Sequence, residues 1–162
     1  EINELIEWLP KNIPSDQETS IVHGDFRLDN MIFDPITHEV KAILDWELST
    51  LGNPIADFTY HMMSWRLPAG AKGLGMMGSN LKSLNIPSES EYAELYYKKT
   101  GREKIDNWDF YMAYNIFRLA GIAQGIVGRV RDGTASSSEA KNYEAFVPIL
   151  GKLGWSIVEG IK

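Results

Sequence analysis

"HGDFRLDN", residues 23–30, gathers a histidine, an arginine, two aspartates and an asparagine into eight positions, directly after the apolar pair Ile21 and Val22. Asp25 and Asn30 bracket a loop, and the chain then runs into Met31, Ile32 and Phe33, a short apolar run of strand type. "DPITHE", residues 34–39, follows with turn chemistry, Pro35 being suited to a turn's second position. Val40–Leu44 supplies a returning strand, so the spacing predicts an antiparallel hairpin. Such a hairpin carries residues 23–30 and 45–47 to one end, and Asp25, Asn30 and Asp45 then surround one small space.

Three oxygen-bearing side chains around one space suit Mg²⁺, which takes one or two carboxylates and completes its shell with water and substrate phosphates. Phosphoryl transfer from a nucleotide needs this set of parts. One Asp orients the attacking hydroxyl and accepts its proton, while an Asn and a further Asp hold metal on the phosphates. The sequence contains no cysteine, which excludes disulfides, thiolate zinc sites and Cys nucleophiles and leaves oxygen or imidazole as metal ligands.

The rest of the chain reads as a helical body. Ile2, Leu5, Ile6 and Leu9 before Pro10 look like the last turns of a helix, and Lys11–Thr19 is a polar loop. Pro54 opens a helix, "PIADFTYHMMSW", with Ile55, Phe58, Met62 and Trp65 on its apolar stripe, broken off by the Gly-rich segment 70–79. Ser88 and Glu91 spell a capping box for a helix from about Glu89 to Thr100, stopped by Gly101. Asp106 opens a long helix ending near Gly133, and residues 138–160 supply a last amphipathic one. Gly121, Gly125 and Gly128 fall near one face of the long helix, where close helix packing is expected. Trp65, Trp108, Tyr111, Tyr114 and Phe117 read as core.

At 162 residues this is one domain's worth of chain, and no apolar run reaches the ~20 residues that span a bilayer, so no membrane partner is expected. A net charge of −6 argues against a nucleic-acid partner. "EINELIEWLP" has no methionine and no signal-peptide pattern, so the chain reads as a piece of a longer, cytoplasmic protein.

"HGD", the following Asn at its interval and "ILDWE" resemble the catalytic segment of the aminoglycoside phosphotransferase and choline kinase group, relatives of protein kinases. The fuller string "HGDFRLDNMIFDP…AILDWELSTLGNPIADF" is most similar to phosphotransferase-like proteins that accompany or are fused to acyl-CoA dehydrogenases. The resemblance implies a mainly helical α+β chain, residues 1–162, forming the C-terminal lobe of a protein-kinase-like fold with a short β-hairpin carrying the catalytic and metal-binding loops. It implies Asp25 as catalytic base, Asn30 and Asp45 as magnesium ligands, and ATP as phosphoryl donor to a small-molecule alcohol. Arg27 either stabilises charge on the transferring group or pairs with Asp29. His23 is expected to organise the loop's backbone. Asp57 lies in "GNPIADF", whose Asp braces the catalytic loop in the family; physics alone allows an Asp placed by the helix dipole. Glu47, Tyr60 and Trp65 are substrate-side candidates.

"GLGMMG", residues 73–78, spells G-x-G-x-x-G but lies after the catalytic loop with no strand before it, so a mobile loop near the acceptor is expected rather than a nucleotide loop. No Gly-rich strand turn, strand Lys or helix Glu precedes His23, so the N-terminal nucleotide lobe is expected to be a missing partner and the piece alone inactive. A non-catalytic binding module and a metallohydrolase built on His23, Asp25 and Asp45 are the competing classes. A hydroxyacyl-CoA or related metabolite is favoured as acceptor over an aminoglycoside.

Overall fold

Turn and cap chemistry sets most element boundaries in the computed structural model, which describes residues 1–15, 18–69, 75–104, 107–134 and 143–161. The chain divides into two compact units, Gln17–Trp108 and the pair Glu1–Asp16 with Asp109–Lys162. The architecture is α+β and mainly helical, with two small antiparallel ladders.

In the middle unit β1 (Ser20–Val22) leads into the loop, a 3₁₀ turn covers Leu28–Asn30, and β2 (Met31–Phe33) pairs antiparallel with β3 (Val40–Ile43). Asp34 builds the turn: its Oδ1 accepts the N–H groups of Ile36 and Thr37, both at 2.9 Å, and His38 takes a left-handed conformation, φ 58°. A second 3₁₀ turn, Trp46–Leu48, leads to β4 (Thr50–Gly52).

The predicted single hairpin is incomplete. β1 pairs antiparallel with β4, Ile21 opposite Leu51, in a second ladder. Its strands are three residues each, too short for alternation to show, and their pairing spans the whole hairpin between them.

Helix α2 (Pro54–Arg66) starts on Asn53, whose Oδ1 accepts the Ile55 N–H at 2.9 Å, with Pro54 in the first turn. More than one stripe of α2 is buried: Ile55, Phe58, Thr59, Tyr60, His61, Met62 and Met63 all lie inside. Helix α3 (Glu89–Thr100) has the complete capping box on Ser88 and Glu91 and ends at Gly101, φ 67°. Arg66 and Glu89 pair at 2.7 Å, and the Trp108 indole N–H adds 2.9 Å to the same carboxylate.

In the other unit α1 (Ile2–Trp8) packs with α4 (Trp108–Arg131) and α5 (Tyr143–Ile161) around Leu5, Leu9, Ala113 and Val158. The close helix approach expected at Gly121, Gly125 and Gly128 is found elsewhere. A Cβ at Gly121 or Gly128 would meet nothing within 4 Å, whereas one at Gly151 would lie 2.8 Å from Ile2 Cγ1 and one at Gly154 2.9 Å from Leu5 Cδ1. The glycines of α5, not those of α4, admit α1. Tyr114, expected in the core, is exposed. Asp106, residues 138–142 and residues 70–74 of the Gly-rich segment lie outside the described residues. The described part of that segment returns on itself, Met77 N–H reaching Leu67 O at 3.0 Å. A Cβ on Gly75 would collide with the carbonyl oxygens of Leu67 and Pro68, so this glycine is needed for close backbone approach.

Candidate active site

The loop 23–30 lies in the middle unit and is gripped from two sides. From α2, the Asp57 carboxylate accepts the backbone N–H groups of His23 and, at 2.9 Å, of Gly24. From the hairpin, Leu44 accepts the His23 Nε2–H at 2.7 Å and donates its own N–H to Asn30 O at 2.8 Å. One residue thus holds both ends of the loop. The buried His23 ring also accepts the Asp25 N–H on Nδ1 at 3.2 Å, which assigns the Nε2–H tautomer and commits both ring nitrogens. Gly24 allows the turn: its φ is +83°, and a Cβ there would collide with the Leu48 carbonyl.

Asn30 donates Nδ2–H to Asp25 twice, to the backbone oxygen at 2.9 Å and to Oδ2 at 3.0 Å. That orients the amide and turns Oδ1 away from Asp25. Asp45 follows Leu44 directly in the left-handed region, φ 65° and ψ 52°, a conformation that costs a non-glycine residue about 1–2 kcal/mol and that Asp tolerates better than most. The backbone bonds of Leu44 therefore set Asp45 beside the loop that carries Asp25 and Asn30.

Arg27 Nε donates to Asp29 Oδ2 at 2.8 Å, and its Nη2 pairs with the same oxygen. Of its two expected partners, the structure gives it Asp29. Partial burial pushes the guanidinium down, but the hydrogen bond and charge of Asp29, with Asp25 and Tyr60 adding, outweigh burial and hold it above its ordinary value. Glu47 is exposed in the 3₁₀ turn, and Tyr60 is buried in α2. Trp65 donates its indole N–H to Pro87 O at 2.9 Å and stacks on Tyr92 with centroids 5.1 Å apart, so it serves the junction with α3.

Three further residues contribute, two of them, Leu44 and Trp46, inside "ILDWE". Leu44 acts through its backbone. Trp46 lays its ring 4.7 Å from that of His23 while its N–H bonds Ile43 O at 2.9 Å. His61 contacts Phe26 of the loop; its spacing of four from Asp57 is the signal that could have found it. An open groove of about 1120 Å³ lies between the 3₁₀ turn Leu81–Leu84 and α3, lined by Leu81, Lys82, Ile86, Glu91, Leu95 and Lys98 among others; none of the candidate residues lines it.

The family model described as the phosphotransferase enzyme family matches residues 1–93. Acyl-CoA dehydrogenase family member 10 of Mus musculus is 44% identical over 95% of this chain and 14% of its own length. Family member 11 of Homo sapiens is 38% identical over 94% of this chain and 20% of its own. A crystal structure from Ralstonia eutropha JMP134, provisionally assigned as an aminoglycoside phosphotransferase, superposes with a TM-score of 0.91 at 46% identity, covering 98% of this chain and 49% of that one. The chain thus spans a fifth or less of these curated relatives and about half of the solved one.

Proposed function

Because this chain belongs to the phosphotransferase enzyme family and shares its kinase-like fold, we propose that it carries the catalytic residues of an ATP- and Mg²⁺-dependent phosphotransferase acting on a small-molecule hydroxyl. The observation that supports this best is the Asp25–Asn30 hydrogen bond in a loop that Leu44, the residue before Asp45, ties at both His23 and Asn30.

Asp25 orients the acceptor hydroxyl and takes its proton. Asn30 keeps Asp25 in place through Nδ2 and, through Oδ1, forms with the Asp45 carboxylate a hard oxygen donor set of the kind Mg²⁺ prefers. Magnesium on the phosphates of ATP supplies neutralisation of the charge on the transferring group. Arg27 rests on Asp29 and keeps a permanent positive charge near Asp25, available to that group if the ion pair opens.

The metallohydrolase alternative asks His23 for a ligand, yet both its nitrogens are engaged. Among the described residues no three His, Asp or Glu side chains converge as a metal site, which counts against a metallohydrolase built on His23, Asp25 and Asp45.

The relatives named as acyl-CoA dehydrogenase family members favour a hydroxyacyl thioester or related metabolite as acceptor over an aminoglycoside. The nucleotide grip is assigned to a part of the intact protein outside this chain, which spans about half of the solved relative, and the 162-residue chain alone is expected to turn over negligibly. The test is a screen of the intact protein with ATP, Mg²⁺ and a panel of alcohols, wild type against Asp25→Ala. Loss of a catalytic base lowers kcat by about 10²–10⁴-fold, and chelation by EDTA abolishes transfer. A variant as active as wild type removes Asp25 from the mechanism.

A further inference from the structure

Asp57 and His61 stand one turn apart on α2 and therefore share a face. Asp57 takes the backbone N–H groups of His23 and Gly24. His61, only 8% exposed, meets Phe26 edge-on, centroids 5.9 Å apart at 62°. Phe26 is also edge-on to the His23 ring, at 6.2 Å and 64°. The loop is thus pinned at positions 23 and 24 by a carboxylate and at position 26 by an aromatic contact. Asp25 is the one residue between the pinned points.

From this we infer that His61 is a positioning residue: with Asp57 it forms a two-point clamp from one face of α2 that sets the orientation of Asp25. The inference rests on the phosphotransferase assignment for its catalytic consequence, though not for its structural one.

His61 is itself well anchored. Its ring meets Tyr92 of α3 at 5.6 Å and Trp65, the next residue along the same α2 face, at 6.0 Å, and Trp65 is tied to Pro87 O. Every one of these ring partners is aromatic and uncharged, and burial pushes the imidazole below its ordinary range. The ring acts by its shape and edge, so a phenyl ring replaces it and a methyl group does not. A displacement on the order of 1 Å at a reacting group costs about 10²-fold in rate, which is why a packing contact two residues' width from the chemistry reaches kcat.

The test uses the intact protein with His61→Ala and His61→Phe, and two readouts. Amide hydrogen exchange over residues 23–30 is expected to quicken about tenfold in His61→Ala, because the local opening free energy falls when the aromatic pin is removed. With MgATP and whichever alcohol is accepted, kcat is expected to fall about 10–100-fold, while the nucleotide KM stays within about twofold, since ground-state binding is not touched. His61→Phe restores both readouts to within about threefold, because the edge-on contact survives. Should His61→Ala fail to fold, His61→Leu, which keeps volume and removes the ring edge, carries the same expectation. Wild-type exchange in a folded His61→Ala or His61→Leu, or equal behaviour of the Phe and Ala variants, overturns the clamp. Quickened exchange in a protein that phosphorylates no acceptor supports the clamp and overturns the phosphotransferase assignment instead.

Discussion

Asp57→Asn separates two accounts of the same carboxylate by size. As a first-turn acid favoured only by the helix dipole, Asp57 would contribute about 0.3–1 kcal/mol. In the structure it accepts two backbone N–H groups, from His23, which is 2% exposed, and from Gly24. Hydrogen bonds to a charged acceptor contribute about 1.5–3 kcal/mol each. Asn keeps the shape and one neutral acceptor, but its NH₂ faces the other backbone donor, leaving that N–H unsatisfied at a cost of about 1–3 kcal/mol. The expected loss is about 3 kcal/mol, several times the dipole effect. Urea unfolding followed by tryptophan fluorescence and far-UV circular dichroism reads it directly. With a urea dependence of about 1–3 kcal/mol/M, the midpoint falls by about 1–3 M. A loss below about 1 kcal/mol leaves only the dipole account and removes the brace on the loop.

Gly24→Ala is expected to unfold the loop, since φ +83° costs an L-residue about 1–2 kcal/mol before the collision with the Leu48 carbonyl is counted; a lowered thermal midpoint and lost activity in the intact protein check it. Gly121→Ala is expected to stabilise by about 0.5–1 kcal/mol, having open space around it in a helix. Gly154→Ala is expected to destabilise by about 1–3 kcal/mol, because the new methyl would press on buried Leu5 and Ile116; denaturant midpoints of the two variants move in opposite directions. His61 also sets an acid limb. Burial disfavours the protonated ring in the folded state, so the unfolded chain binds the proton more readily, and this contribution to stability is full above the ordinary value of 6.5 and declines as pH falls below it. Thermal midpoints of wild type drop as pH falls below about 6.5, and His61→Phe flattens that drop.

What the sequence determined by itself is local. The Asp34–Pro35 turn, the Pro54 and Ser88 helix starts and the Gly101 stop act through backbone conformation and caps within a few residues, and the structure has each of them. The Asp25–Asn30 contact belongs to the same class, because only five positions separate the two residues. Tertiary structure alone decided the β1–β4 ladder, Leu44's hold on both ends of the loop, the aromatic partner of Phe26, and which glycines face a helix and which face open space. These depend on which distant surfaces meet once loop-closure entropy has been overcome by burial, and three-residue strands or single helical glycines look the same in a sequence whichever partner arrives.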